Sequence, residues 1–495
     1  MSIWPKFSSS FFLIIFSGLC LLMAGGCAYF GLVSYPELVQ EKKQLLVSGN
    51  FDKALRSLES GISSGNCQVL NLMEQGMIRH MQGDYQGSIY SFEQALALIH
   101  SFEDRAVISA RSVASQLLTL PMNDNAIPYY GYPFERVLIN TYQAMNYLFL
   151  GNLEGARVEV RRADQRQTKE LERHNREVSE YQRWGSSRGI EVNNYAGVQE
   201  LRDELQTLSG STMSSFQNAF TYYLSGIIYE LNGEYNDAYI DYKKAYQLSP
   251  HFTCVRSDLL RLSRKLGFQE EYAEWSSRFQ DLLKEEERQW PAGSLSSDAV
   301  GAELILFYSQ GFICQKEQIK LTLPINNSLV SIALPVYSRK ESTASSLLRV
   351  QAFDSVARLG TTSEVVNLDT LAIKALEEQL PVIITRQLAR IISKAAISRQ
   401  MENNNLAFVA TSLYNILSEN ADLRNWLMLP NNIQILRRRL SAGRHEFTWR
   451  LESRFGQVQS IHKTTVTLQD GDICLVNLRS IDGRLLANVK VLPKA

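Results

Sequence analysis

Apolar residues recur at three- and four-residue steps from about residue 37 to residue 284, the period of amphipathic helices. Beyond residue 298 the step shortens to two, the period of strands. Between the two regimes stands Trp290-Pro-Ala-Gly-Ser-Leu-Ser-Ser297, whose Pro, Gly and Ser mark a linker. The second regime predicts strands over Glu303–Tyr308 and Gln318–Leu323, paired with each other around Gln310-Gly311. Further strands are expected over Leu329–Tyr337 and Leu348–Phe353. From about Asp369 a helix follows, with Leu371, Ala375, Leu376, Leu380, Ile384 and Leu388 on one face and Pro381 placed to kink or interrupt it. A second helix is expected near Ala407–Leu417. Asn432–Leu440 and Glu446–Leu451 flank Ser441-Ala-Gly-Arg444, a hairpin signal. Strands over Thr464–Gln469, Asp472–Leu478 and Leu485–Leu492 follow, with turns at Asp470-Gly471 and Asp482-Gly483.

Within the helical half, four segments repeat. They begin Gly49-Asn-Phe51, Gly83-Asp-Tyr85, Gly151-Asn-Leu153 and Gly233-Glu-Tyr235. Each continues with a small residue (Ala54, Ser88, Ala156, Ala238) and, four places on, a bulky one (Leu58, Phe92, Val160, Tyr242). This resembles the turn and second helix of the tetratricopeptide repeat, whose period is about 34 residues. The step from Gly49 to Gly83 equals that period, and the step to Gly151 is twice it. Gly76, Gly226, Tyr229 and Pro250 fall at further positions of the repeat pattern. The types have physical reasons. Glycine permits the left-handed backbone that ends a helix, and a small residue lets paired helices approach while the bulky one fills the groove between them. No helix pair buries its apolar face alone, so neighbours must stack.

Two stretches break the rhythm. Leu117–Phe134 carries Pro121, Pro128 and Pro133 with the run Tyr129-Tyr130-Gly131-Tyr132. It reads as an aromatic loop, either a partner-contact surface through Tyr129, Tyr130 and Tyr132 or a cap tucked on the repeats. The insertion near 164–212 is largely polar and predicts a long helix returning through Gly185–Gly189, a protruding helical hairpin.

The first residues change the picture of where the protein works. Lys6 precedes an apolar run over Phe11–Ala24, and Gly25-Gly26-Cys27 follows. Basic start, short apolar core and small-residue end are the order of a secretory signal. The run is short for a spanning helix, which needs about 20 apolar residues. Ala24-Gly-Gly-Cys27 resembles the bacterial lipobox, which implies acylation at Cys27, although Ala24 stands where that signal usually has a larger aliphatic residue. The alternative is an uncleaved anchor over residues 1–26. Either places the body outside the cytoplasm, with the periplasmic face of the outer membrane favoured by Ala28 and an inner-membrane anchor as the other option.

Composition excludes more than it assigns. At 495 residues the chain exceeds a single core, so two or three domains are expected. Lys+Arg and Asp+Glu both total 51, which leaves no broad basic field for nucleic acid. The six cysteines form no C-x-x-C pair, and the six histidines show no metal-ligand spacing. No phosphate-binding glycine loop or nucleophile elbow is present, so no catalytic residue, metal or cofactor is assigned. Arg386, Arg390 and Lys394 lie along one row of the Asp369 helix, a candidate anion-binding stripe or simply a solvated face.

The chain also resembles a family of uncharacterised Gram-negative envelope proteins with N-terminal tetratricopeptide repeats. The resemblance rests on Gly301–Phe307, Gly311-Phe312, Ser331–Pro335, Lys374–Pro381, Ile384–Leu388 and Arg424–Gln434. It implies an exported, often lipid-anchored protein with no established activity. The expected architecture is a leader or anchor over 1–26, an all-α tetratricopeptide-like solenoid over 37–290, and an α+β, strand-rich domain over 298–495. The expected function is a non-enzymatic scaffold binding other envelope proteins in the solenoid's concave face. The alternative is a cell-wall-directed enzyme or glycan-binding module in the C-terminal domain.

Overall fold

Gly49, Gly83, Gly151 and Gly233 all take φ between 77° and 84°, and each ends the first helix of a pair. The computed structural model describes residues 34–59, 65–108, 125, 127–189, 191–280, 282, 301–325, 328–337, 347–355, 357–400 and 420–493. The expected leader with Cys27, the 290–297 linker and the helix near 407–417 lie outside them. The paired helices are α1 (Tyr35–Val47) with α2 (Phe51–Glu59), and α3 (Gln68–Gln82) with α4 (Tyr85–Ile108). Next come α5 (Pro133–Leu150) with α6 (Leu153–Ser186), and, after α7 (Ala196–Ser209), α8 (Ala219–Leu231) with α9 (Tyr235–Leu248). A fifth pair, α10 (Thr253–Lys265) with α11 (Gln269–Arg278), turns at Gly267 with φ 73°. Packing follows the repeat logic. Phe92 lies against Gly76 and Tyr242 against Gly226, and a Cβ at either glycine would collide with the ring. Ala95, Ala163 and Ala245 are fully buried. The first half is a tetratricopeptide-like solenoid.

The second half is strand-rich. Its strands are β1 (Ala302–Gln310), β2 (Lys316–Ile325), β3 (Ser328–Tyr337), β4 (Arg349–Asp354), β5 (Ala357–Thr361) and β6 (Ser363–Asn367). After helix α12 (Leu368–Gln400) come β7 (Asn432–Leu440), β8 (Gly443–Glu452), β9 (Val458–Leu468), β10 (Ile473–Ile481) and β11 (Arg484–Leu492). They form a five-stranded mixed sheet in the order β11-β10-β1-β7-β6, a four-stranded sheet in the order β5-β4-β8-β9, and the β2-β3 pair. Helix α12 continues through Pro381, so the expected interruption does not occur.

Two expected hairpins are replaced. β1 pairs with β10 and β7, not with β2. The turn at Ser441–Arg444 joins β7 to β8 across different sheets, because β7 pairs with β1 and β6 while β8 pairs with β4 and β9. Asp470-Gly471 is likewise a corner between sheets. Asp482-Gly483 does close a hairpin, with both residues at positive φ (46° and 78°), the requirement of a tight primed turn.

The mixed sheet is buried on both faces, which explains the unbroken apolar run Leu304-Ile-Leu-Phe-Tyr308. Leu304, Leu306, Tyr308, Leu436, Val476 and Leu478 face the four-stranded sheet, meeting Val350, Phe447, Trp449 and Leu451. Ile305, Phe307, Ile433, Ile435 and Leu475 face the solenoid and share its core. The rings of Phe149 and Phe220 each stand 6.3 Å from that of Phe307. The layers are therefore helices, mixed sheet and second sheet, with one apolar cluster running from repeat to sheet. Cys254, Cys314 and Cys474 are buried within these layers and Cys67 is half-buried, each outside any disulfide among the described residues.

The insertion does not protrude. Helix α6 extends to Ser186 and α7 returns, but Tyr181, Val178 and Trp184 pack on Val382 and Ala389 of α12. A crevice of about 260 Å³ lies between them, lined by Tyr181, Val192, Pro381 and Thr385 among others. The polar hairpin is a brace for the second domain.

Candidate functional site

The inner face of the repeats is where such a solenoid would take a ligand, and here α3 and α5 meet the chain's own residues 426–428. Glu74 on α3 and Glu135 on α5 are both fully buried. The Glu135 carboxylate accepts the backbone N–H of Trp426 at 2.7 Å. Glu74 accepts those of Leu427 and Met428, each at 2.9 Å, and the Tyr35 hydroxyl at 3.1 Å. Two carboxyl groups thus hold three successive amides of one turn. The Trp426 side chain, fully buried, stands edge-on to Phe92 at 5.6 Å and to Tyr142 at 6.1 Å. The repeat ring that fills the groove between helices also seats this tryptophan.

Burial sets the proton affinity of both acids. It pushes the Glu74 carboxyl up to about 8, against the pull of the Met428 and Leu427 N–H groups and the Tyr35 hydroxyl. Glu135 is raised by the same cause, offset by the Tyr129 hydroxyl and the Trp426 and Tyr132 N–H groups. Nearby, burial lowers the Lys316 ammonium to about 8 while Asp422 and Glu135 favour its charge. Lys316 donates to the Arg424 carbonyl at 2.9 Å and lies over the Tyr132 ring at 3.8 Å. Arg424 donates to the Asn66 and Ile127 carbonyls at 3.1 and 2.9 Å, tying the turn to the loops of the repeats.

Two further polar knots cross the same interface. In one, Asn477 donates to Nε2 of His80 at 3.1 Å while Nδ1 of His80 meets the Asn146 side-chain oxygen at 2.6 Å. That pattern places the proton on Nδ1, and burial lowers the imidazole to about 4, so it is neutral. In the other, Arg437 of β7 reaches Glu303 at 2.6 Å, Asp258 at 2.9 Å and Glu230 at 3.1 Å. Tyr242, the groove-filling residue of the fourth repeat, donates to Glu230 at 3.1 Å. Burial raises the Glu230 carboxyl, but Arg261 and Arg437 outweigh it and hold the group well below its usual range.

The outer edge of the sheet is matched to the repeats as well. Cβ atoms at Gly49 and Gly83 would run into Arg484 and Asn488 of β11, and one at Gly151 would touch Leu492 at 3.6 Å. Successive repeat turns therefore meet β11 at every fourth residue.

The residues singled out from sequence fall differently. Tyr129 is buried, its hydroxyl donating to Glu135 and its N–H to the Asn66 carbonyl, so it is not a contact surface. Tyr130 lies under the guanidinium groups of Arg136 and Arg173 at 5.3 and 5.1 Å, and Tyr132 under Lys316. The aromatic run is a cap tucked against the C-terminal domain. Arg386 reaches Glu177 of the insertion at 3.4 Å and Arg390 is buried, so these two do not form a solvated face. The Lys394 side chain and Cys27 lie outside the described residues. Sequence reasoning passed over Glu74, Glu135 and Arg437. A lone acid inside the apolar stretch Val69–Ile78 was the available signal for Glu74.

Among the described residues no three His, Cys, Asp or Glu side chains gather to hold a metal, and no helix is long and apolar enough to cross a membrane. No family model and no curated protein matches the chain. Solved structures do. A crystal structure of MamA is 14% identical and covers 50% of this chain and 94% of its own, with a TM-score of 0.27. MamA from Desulfovibrio magneticus RS-1 is 13% identical over 52% of this chain and 96% of its own, with a TM-score of 0.28. A tetratricopeptide repeat protein from Parabacteroides merdae is 15% identical over 46% of this chain and 98% of its own, with a TM-score of 0.13.

Proposed function

We propose that this chain is a non-enzymatic scaffold of the bacterial cell envelope, carried on a membrane by its N-terminus and engaging partner proteins by its outer surfaces. The observation that carries the reading is the grip of Glu74 and Glu135 on the Trp426–Met428 amides. A solenoid whose inner face is met by its own chain has its second domain held at a set angle. Partners are then met by the surfaces left open, such as the outer helices bearing Tyr90 and Ile240, which are 60% and 52% exposed. Anchoring through Cys27, or through an uncleaved apolar run, would keep these surfaces at one membrane, with the periplasmic face of the outer membrane favoured.

A photo-crosslinking residue placed in living cells at 90, 240 or 92 tests the arrangement. Adducts to other proteins are expected from 90 or 240, and from 92 only an internal link to the Trp426 turn. Partner adducts at 92, with the internal link lost, would mean that the groove opens and the reading is wrong. A clickable fatty acid should label the wild type and not Cys27→Ser; equal labelling of both would remove the lipid anchor.

A further inference from the structure

Among the described residues, three exposed large apolar side chains fall within seven positions of one hairpin. Phe455 is 91% exposed, and Val458 and Ile461, 48% and 53% exposed, follow it on the same β8–β9 hairpin. The tip is built, not frayed. The Gly456 N–H donates to the Ser453 carbonyl and the Ser453 N–H to the Gln457 carbonyl, each at 2.9 Å, and Gly456 takes φ 78°. This turn holds Phe455 at its corner, pointing away from the sandwich. Such a residue gains nothing from the fold, and a group of exposed apolar side chains rimmed by charge is a candidate contact site.

The exposed charges nearest the tip are basic. Glu452 is buried, so Arg454 is the exposed charge of the turn, and Lys463 is exposed beside Ile461. Strands β4, β5, β8 and β9 with their hairpin turn carry six Lys or Arg residues against three Asp or Glu. An aromatic corner with aliphatic neighbours and a basic surround fits the boundary between anionic headgroups and acyl chains. A second copy of this sheet would set like charges against each other.

Position agrees with this. The Leu348 N–H donates to the Gln310 side chain at 3.0 Å, and the next residue, Arg349, pairs with Glu452. The β8–β9 tip therefore leaves the sandwich at the end of β1, where Gly311 and Phe312 follow. Lys43 of α1 lies over the Phe312 ring at 5.0 Å. Helix α1 begins at Tyr35, shortly after the apolar run expected to hold the membrane. The base of the hairpin tip and Lys43 of α1 thus both neighbour residues 310–312, where β1 ends.

We infer that the β8–β9 tip, through Phe455, Val458 and Ile461 with Arg454 and Lys463, is a second membrane contact that inserts into an anionic phospholipid surface. This rests on the membrane-anchored reading and adds an orientation to it. Two contacts would set the long axis of the solenoid relative to the bilayer, where a single N-terminal tether would let the body swing.

The test uses the full chain, with Phe455→Trp as the probe and Ile240→Trp as a probe on the outer helices, each read as the difference from wild type. Vesicles contain phosphatidylethanolamine and phosphatidylglycerol, or phosphatidylcholine alone, with brominated acyl chains as quenchers. On the anionic vesicles the probe at 455 should shift to shorter wavelength and be quenched, while the probe at 240 stays as in water. The shift should shrink on phosphatidylcholine and at high salt, because headgroup attraction is screened. Flotation of the chain with vesicles is the separate readout of the anchor. A chain that floats while the probe at 455 remains as in water overturns the hairpin contact and leaves the anchor standing. An equal shift with lipid-free envelope protein would assign the tip to a protein partner and overturn the proposal.

Discussion

Two groups of acids join the repeats to the sheet, and their partners send their proton affinities in opposite directions. At the Trp426 turn, Glu74 and Glu135 face backbone N–H groups and hydroxyls, and both carboxyls are pushed up. At the far end, Glu230 faces Arg437 and Arg261 and is held down. Loss of water raises the proton affinity of every one of them. Neutral donors return part of that cost, whereas a cation at hydrogen-bond distance returns more than all of it. The turn is therefore an anchorage of directed hydrogen bonds around a tryptophan, and the Arg437 knot is an ion cluster. They should break differently.

The largest effect is expected from Arg437→Met. It leaves Glu230, Asp258 and Glu303 with less positive charge in a largely buried site, which should cost about 3–5 kcal/mol in urea unfolding. A loss below about 1 kcal/mol would mean that the cluster is wetter than its burial implies. Glu74→Ala should cost somewhat less, about 3 kcal/mol, by stranding two amides and the Tyr35 hydroxyl. It should also loosen the turn before the rest, seen as faster amide exchange at Leu427 and Met428 than at strand β1. Uniform exchange in that variant would show that the turn opens only with the whole fold.

The pH dependence separates the two ends further. Glu74 is raised from 4.5 to about 8, so its contribution is full below pH 4.5 and is lost as pH rises toward and through 8. Glu230 is lowered, so its contribution is present above pH 4.5 and is lost as pH falls through its depressed value. His80, lowered from 6.5 to about 4, adds to the acid limb: its contribution is present above pH 6.5 and is lost on acidification. Unfolding free energies across this range should fall on both sides of a maximum. Glu74→Gln should flatten the alkaline side and leave the acid side in place; an unchanged alkaline side would assign that limb to other groups.

The smallest test concerns the turn glycines. Gly233→Ala meets no atom within 4 Å, so it should cost only the left-handed backbone, about 1–2 kcal/mol. Gly83→Ala adds a collision with Asn488 and should cost more. Equal losses in melting experiments would show that β11 moves aside easily, and that the fit of the sheet to the repeats is loose.

The repeats were readable because their signals are local. A glycine that must take positive φ, a small residue and a bulky one at set offsets are requirements of one helix pair, and all four copies carry them. Turn chemistry was readable in the same way at Ser441–Arg444 and Asp470-Gly471, yet neither turn closes a hairpin. A tight turn specifies that the chain reverses, not which strand it then lies beside. The aromatic run at 129–132 shows the same limit from the other side. Its composition suits an exposed contact as well as a cap, and the choice depended on Glu135 and Lys316, which are distant in sequence or hidden in a helix. Arg386 could be read as solvated because its partners Tyr181 and Glu177 belong to an insertion with few apolar residues.

The sequence by itself determined the stacked helix pairs, the change to a strand-rich second half and the absence of any local catalytic or metal motif, since these depend on neighbours within a few tens of residues. Tertiary structure alone decided that the second half meets the inner face of the first. That outcome rests on three amides, two acids and an arginine brought together across hundreds of residues, and on a sheet with two buried faces. No periodicity along the chain encodes which surface a buried face will meet.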